Sequence, residues 1–440
     1  MNTVTQVTKA LQSVLTVQAN RLARRYGAVE RERKLSGAVL AQALVLGWLH
    51  RPDATIEQLA QMAAACGQPI SPQAIDQRFR ASTSEFFFHL LEAAVAQVVT
   101  TEPVAIDLLR RFAGVWLEDS TVIRLPTCFA DLWPGSGGRN GQSEAALKLH
   151  VELDLASGRL VGPQCVAGRH SDHGSRLVDA VPKGGVWIAD LGFFDLARLG
   201  QLDKRGVFWI TRIQPHTALY HEDGERLHVD RAMRGVKGPL DRSVRIGTRE
   251  RMACRLIAHR APASVVRKRR RRLEKDAARR GRAVSPTQRA WCRWTVIVTN
   301  IPPERLSVHE ALVLLKMRWQ IELLFKRWKS LGHVGQSRSA NPWRVLTEIY
   351  AKLLGMLIQH WLLLVATWQY EDRSLAKASV AVRDHVPILI EPLVTGRRLA
   401  AAIRRTAAVL RTAGRLQRRR IRPPSYWILQ HPELIDSTLT

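Results

Sequence analysis

The chain has 440 residues, 46% of them hydrophobic, and a formal net charge of +29 from 67 Lys and Arg against 38 Asp and Glu. Length and apolar content exclude a disordered chain and suggest a globular protein of about two to four domains. The basic excess points to a polyanion as partner, and its spread through folded-looking segments favours nucleic acid over a membrane surface. Cys66, Cys128, Cys165, Cys254 and Cys292 form no C-x-x-C pair, which argues against a zinc ribbon or a disulfide scaffold and fits a reducing cytoplasm. The N-terminus, M-N-T-V-T-Q-V-T-K-A, lacks the layout of a signal peptide.

Residues 1–103 read as a helical region. A basic stretch, Arg21 to Lys34, leads into an apolar helix from Ser36 to Leu49. Thr55, with Gln58 three residues on, has the pattern of a capping box, and Gly67 reads as that helix's stop. Ser71-Pro72 then opens another helix, with Ser at the N-cap and Pro at the first position. Two such helices around a glycine turn fit a helix-turn-helix exposing Gln73, Asp76, Gln77 and Arg80, and equally an ordinary hairpin in a bundle.

From Val104 the pattern changes. Ala113 to Leu125 alternates and is β-branched, which predicts a strand with Asp119 inside it. A carboxylate within an apolar strand needs a partner, and a metal ion is one; a turn-capping Asp is the alternative. Glu118 faces the other way. Gly135 to Gly141 reads as a connector loop. Leu147 to Leu155 and Arg159 to Val166 form a predicted antiparallel hairpin around Ala156-Ser157-Gly158. His170, Asp172 and His173 follow in a loop and read as surface residues. Gly185 to Phe194 is a short buried strand ending at Asp190, where open α/β sheets place ligand-binding groups; the alternative is a cap for the helix beginning near Asp195.

Between Val207 and Asn300 the segments are short and turn-rich, with predicted strands at Val207 to Ile213, Leu227 to Val229, Ser243 to Ile246 and Arg255 to Ala258. The run Arg267 to Arg272, R-K-R-R-R-R, reads as solvated and mobile, suited to lying on phosphates. Trp291 to Asn300 is a further strand, stopped by Ile301-Pro302-Pro303.

Leu314 to Lys329 holds no Gly or Pro and predicts a helix. At about 100° per residue, Leu314, Met317, Ile321, Leu324, Phe325 and Trp328 form an apolar arc, while Arg318, Glu322 and Lys329 share another face with Lys326 close by. Past Gly332, the apolar run Leu353 to Trp368 contains Gln359 and His360 and follows Lys352, so Asn341 to Trp368 reads as one or two buried helices and no membrane span. Arg397 to Arg422 is an arginine-rich amphipathic segment ended by Pro423-Pro424.

The string R-W-Q-I-E-x-x-F-K-x-W-K resembles the helix that carries the last acidic residue in DDE transposases of bacterial insertion sequences, in the subgroup typified by insertion sequence four with its Tyr-Arg-Glu-Lys signature. Arg318, Glu322 and Lys329 stand at that signature's spacing, and Leu315 replaces the Tyr. D-S-T at Asp119 and D-x-G-F at Asp190 resemble the family's first and second Asp. The resemblance implies an α/β (α+β) protein with a ribonuclease-H-like mixed-sheet catalytic core in two parts (104–213 and 291–370). A β-rich insertion (214–290) and a basic helical C-terminal region (371–440) complete the expected layout.

It further implies that Asp119, Asp190 and Glu322 are catalytic and hold two Mg²⁺ ions, with Mn²⁺ able to substitute. Arg318, Lys329, Lys326 and Trp294 are expected to bind DNA. Trp294 is either a core residue or one that stacks on a flipped base. The implied function is cut-and-paste transposition by metal-dependent cleavage and strand transfer, with hairpin opening the step that Leu315 puts most in question. The implied partners are double-stranded DNA, as terminal inverted repeats bound by the N-terminal helical region and as target, and a second copy of the chain. No membrane is involved, and the expected place is the bacterial cytoplasm at the nucleoid. The alternatives are an inactive DNA-binding derivative of a transposase and a ribonuclease-H-like nuclease without strand transfer.

Overall fold

The alternating stretches gather into one sheet. A computed structural model describes residues 2–30, 35–136, 144–416 and 423–435. Parts of the basic stretch (31–34), the glycine loop (137–141) and the arginine-rich segment (417–422) therefore lie outside the described residues. The strands are β1 (Val115–Leu125), β2 (Ala145–Asp154), β3 (Leu160–Ala167), β4 (Val186–Ala189), β5 (Phe208–Arg212), β6 (Leu219–Tyr220), β7 (Arg226–Leu227), β8 (Leu240–Ile246), β9 (Met252–Arg260) and β10 (Trp294–Thr299). Their order is β3-β2-β1-β4-β5-β10-β9-β8-β6-β7. β1 to β3 form an antiparallel meander, β1, β4 and β5 run parallel, and β10 pairs antiparallel with β5 and β9. With helices on its flanks, this mixed sheet is a ribonuclease-H-like α+β fold.

Two apolar cores sit on the sheet's two faces. One joins Leu117, Leu149 and Ile188 to the N-terminal helices and to the helices around Ile321 and Leu354. The other packs Trp187, Trp209, Phe193, Leu199 and Trp294 beneath the insertion. The helices Gly37–His50 and Ala81–Val95 pack against Pro342–Ala366, so the N-terminal region shares the catalytic core's hydrophobic interior. Pro342–Ala366 has the length and apolarity of a membrane span, yet 94% of its most apolar window is buried inside the protein.

The helix opened by Ser71 spans Pro72–Asp76, little more than one turn; Ser71 caps it, and Gln73, Asp76, Gln77 and Arg80 are all exposed, as expected. The basic run is largely solvated, as expected, but is not a mobile segment: it is part of the helix Ala263–Arg279. Its Ala, Leu, Lys and Arg are good helix formers, and Arg269 docks it on β10 through the Trp294 carbonyl (2.7 Å) and Thr295 Oγ1 (2.9 Å). The β-rich insertion joins the core sheet: β6 to β9 continue it through β10.

The chain beyond the signature helix is anchored by one buried ion pair. Lys352 Nζ lies 2.6 Å from Glu348 and donates to the carbonyls of His333 (3.2 Å) and Gln336 (2.8 Å). Lys352 is 2% and Glu348 5% exposed, so removing the cation leaves a buried carboxylate without its charge partner. We expect Lys352→Ala to lower the unfolding free energy by about 3–5 kcal/mol. Urea titration checks this, and the apolar double substitution Glu348→Leu/Lys352→Met should recover most of the loss.

Candidate active site

Strand register places the two aspartates side by side. In the parallel β1–β4 ladder Glu118 opposes Ala189, and one residue further on Asp119 lies beside Asp190, just past the end of β4. In the β4–β5 ladder Ile188 opposes Ile210, and two residues on Asp190 lies beside Arg212. Side chains at paired positions of parallel strands share a face, and neighbouring strands are about 4.8 Å apart. Asp119 in the middle of β1, Asp190 just past β4 and Arg212 at the end of β5 thus form a row across the three strands.

The signature helix lies over β1 and β2. Its predicted apolar arc is buried: Leu314, Met317, Ile321, Leu324, Phe325 and Trp328 all belong to the core. Leu315, at the Tyr position, is buried with them. The helix is not continuous, which corrects the expectation. Val308–Met317 and Trp319–Ser330 are separated at Arg318, where the backbone tightens through Arg318 N–H to Leu315 O (3.3 Å) and Ile321 N–H to Arg318 O (3.1 Å).

From this break the Arg318 guanidinium bridges Asp119 Oδ2 (3.0 Å) and Glu322 Oε1 (2.5 Å). Lys329 Nζ donates to Val122 O of β1 at 3.2 Å. Arg318 and Lys329 therefore fasten both ends of the helix to the strand that carries Asp119.

The electrostatics follow from this crowding. Burial pushes the Asp119 carboxyl up to about 6; Asp190 and Glu322 add to the rise, while the Ser120 backbone N–H and Arg318 oppose it. Burial also lowers Arg212, against the pull of Asp190 and Glu322. Lys329 is likewise lowered by partial burial. Among the described residues no group of three His, Cys, Asp or Glu side chains is drawn together tightly enough to grip a metal ion. What lies between Asp119 and Glu322 instead is the Arg318 guanidinium. The donors nevertheless suit a hard divalent cation: three carboxylates, one from within β1, one just past β4 and one from a helix, whose shared charge already draws in a cation.

The remaining expected residues are spread around this row. Lys326 is exposed on the helix. Trp294 is only 8% exposed, with Arg260 over its ring at 5.2 Å. It lines a cavity of about 840 Å³ with Arg260, Arg267, Arg270 and Arg293. Two residues escaped the sequence reading. Arg212 becomes visible only from the sheet register. Trp319 is 55% exposed beside Arg318, although its neighbour in the motif, Trp328, is core; its place on the wheel with Lys326, outside the apolar arc, was the available signal.

A mixed sheet flanked by helices, with acidic residues on adjacent strands and on a covering helix in a strongly basic chain, has the layout of ribonuclease-H-like proteins that act on nucleic acid. The chain belongs to the transposase DDE domain family, whose model matches residues 112–358. It is 25% identical over 428 residues to the transposase for insertion sequence element IS231F of Bacillus thuringiensis subsp. israelensis, covering 90% of this chain and 89% of that protein. To the IS231C transposase of B. thuringiensis subsp. berliner it is 27% identical, with 87% and 85% covered. To the IS1151 transposase of Clostridium perfringens it is 22% identical, with 72% of each covered. The protein is a transposase, an enzyme that acts on DNA, and its family depends on divalent metal.

The raised Asp119 value has a testable sign. With a folded value near 6 against 3.8 for the free side chain, the ionised carboxylate is disfavoured in the native state above pH 6. Below both values the group is protonated folded and unfolded alike, and no penalty remains. In chelator, Asp119→Asn should therefore raise the melting temperature at pH 8 by a few degrees, and the gain should vanish as pH falls through 6 towards 4.

Proposed function

We propose that the protein moves an insertion sequence by cut-and-paste transposition, in the manner of the insertion-sequence-four subgroup. The observation that carries this reading is the adjacency of Asp119 and Asp190 by register, with Glu322 joined to Asp119 through Arg318. Asp119, Asp190 and Glu322 would hold two Mg²⁺ ions, or Mn²⁺ in their place. Bound there, the ions supply activation of the attacking oxygen and charge stabilisation of the leaving one.

Arg318 neutralises the carboxylates and, released from them, reaches DNA phosphate as a bidentate donor. Lys329 and Lys326 add point charges along the same helix, and the Ala263–Arg279 helix adds sequence-independent phosphate contacts. Trp294 would stack on an unpaired base once Arg260 leaves its ring. Exposed Trp319 offers an aromatic face with no such displacement. The DNA is double-stranded, as terminal inverted repeats and as target, and a pair of chains bridges the two ends in the bacterial cytoplasm at the nucleoid. The competing readings are a DNA-binding protein without catalysis and a nuclease that never joins ends.

Glu322→Gln should bind a duplex carrying the element's ends as tightly as the parent and lose Mg²⁺-dependent cleavage by at least about a hundredfold. Cleavage near the parental rate would remove Glu322 from the site. For the parent, joining of a pre-cleaved 3′-OH end to plasmid separates the transposase from a nuclease, and binding without any cleavage favours the inactive derivative. Lys329→Ala should weaken engagement of the cleaved end several-fold in gel-shift titration, through a lost phosphate contact and a loosened helix end; unchanged end binding and processing would leave it a plain surface Lys.

A further inference from the structure

The residues on either side of Asp119 turn to the sheet's other face, and both are tied to one loop. Ser120 Oγ donates to Asp172 Oδ1 at 2.9 Å. Lys148 of β2 pairs with the same oxygen at 3.1 Å and donates to the His170 carbonyl at 2.5 Å. Glu118 accepts from Trp187 Nε1 at 2.8 Å and lies 3.6 Å from Arg198. Arg198 in turn donates to the carbonyls of His173 (2.6 Å) and Ser175 (2.7 Å). The loop is therefore pinned at both ends to the strand segment that presents Asp119. His170 and His173 are exposed, as the surface reading has them, but the Asp172 side chain is only 25% exposed, with its Oδ1 held by Ser120 and Lys148.

The same loop reaches the second aspartate. The turn Leu191–Phe193 directly follows Asp190, and Asp172–Gly174 packs against it. A Cβ on Gly192 would sit 3.2 Å from Asp172 Oδ2, so the carboxylate lies against the backbone two residues beyond Asp190. This support falls where the ladders give none: β1 pairs with β4 only as far as Glu118, and Asp190 is already past β4. The groups facing Asp172 leave Lys148 as its cation. His150, 4.0 Å away and buried, is held neutral by burial, which lowers it to about 4.

We propose that Asp172 is a positioning residue: held by Ser120 and Lys148 and seated against Gly192, it sets the spacing of Asp119 and Asp190 from behind the sheet. The inference rests on the reading that these two aspartates hold metal. Spacing errors of about 1 Å are enough to cost a metal site much of its affinity, as loss of supporting partners typically costs ten- to a hundredfold.

The test is Mn²⁺ binding to the full chain, followed by the electron paramagnetic resonance of free Mn²⁺, alongside cleavage rate against metal concentration. Asp172→Ala should weaken Mn²⁺ binding about tenfold and raise the metal needed for half-maximal cleavage equally, with DNA-end affinity within about twofold of the parent. Ser120→Ala, a milder truncation, should shift metal affinity the same way, and the double variant should be no worse than Asp172→Ala alone. Asp172→Asn, which keeps an acceptor for Ser120, should restore part of the loss. Unchanged Mn²⁺ binding in Asp172→Ala, or additive effects in the double variant, overturns the proposal. If Asp172→Ala does not fold, Ser120→Ala alone decides by the same criterion. Asp119→Ala is the control: Mn²⁺ binding that survives it refutes the metal reading itself, independently of Asp172.

Discussion

Carboxylates do not gather in a partly buried pocket without cations to balance them. In this protein the balance is supplied by Arg318, whose guanidinium lies between Asp119 and Glu322, and by Arg212 at the end of the row. That arrangement satisfies the fold and also limits it. A guanidinium can be exchanged for a divalent cation only if it has somewhere else to go, and DNA phosphate is the natural destination. The same residue can then serve the resting protein as a counter-ion and the DNA complex as a phosphate grip. On the proposed reading, metal and DNA binding are linked through one side chain, and by reciprocity each should favour the other.

The rest of the architecture holds this charge balance in place. Parallel register sets the two aspartates abreast, and the two cores hold the sheet between the helical half of the molecule and the insertion. The signature helix is fastened to β1 at Arg318 and again at Lys329, so the distance from Glu322 to Asp119 is fixed at both ends of the helix. Behind the sheet, the loop around Asp172 is tied to β1 through Ser120 and packs against the turn that follows Asp190. The insertion, continuous with the sheet through β10, carries its arginine-rich helix on a defined docking site and not on a free tether.

Features with a local physical signature were legible in the sequence. The capping box at Thr55 and the Ser71 cap are present, the hairpin β2–β3 forms as the alternation predicts, and the buried arc of the signature helix matches its wheel. All five cysteines are free. Asp119 stood out because a carboxylate in an apolar strand requires a partner. What was not legible depends on contacts between distant segments. Arg212 is one arginine among many until register puts it beside Asp190. Nothing in the residues around Arg318 breaks a helix, and the break falls on the side chain drawn to Asp119. The basic run looked mobile because like charges repel, but Arg269 finds two acceptors on β10 that only the tertiary fold supplies. Asp172 read as surface because its partners, Ser120 and Lys148, lie 52 and 24 residues away.

The central claim is that Asp119, Asp190 and Glu322 share divalent metal once Arg318 has moved to DNA. Anomalous diffraction at the manganese edge, from crystals of the protein with a duplex carrying the element's end and Mn²⁺, tests it most directly. Manganese peaks bounded by these three carboxylates are expected, about 3.5–4 Å apart if two ions bind, with the Arg318 guanidinium on a phosphate. Manganese elsewhere, or none while Arg318 still bridges Asp119 and Glu322 on bound DNA, would contradict it.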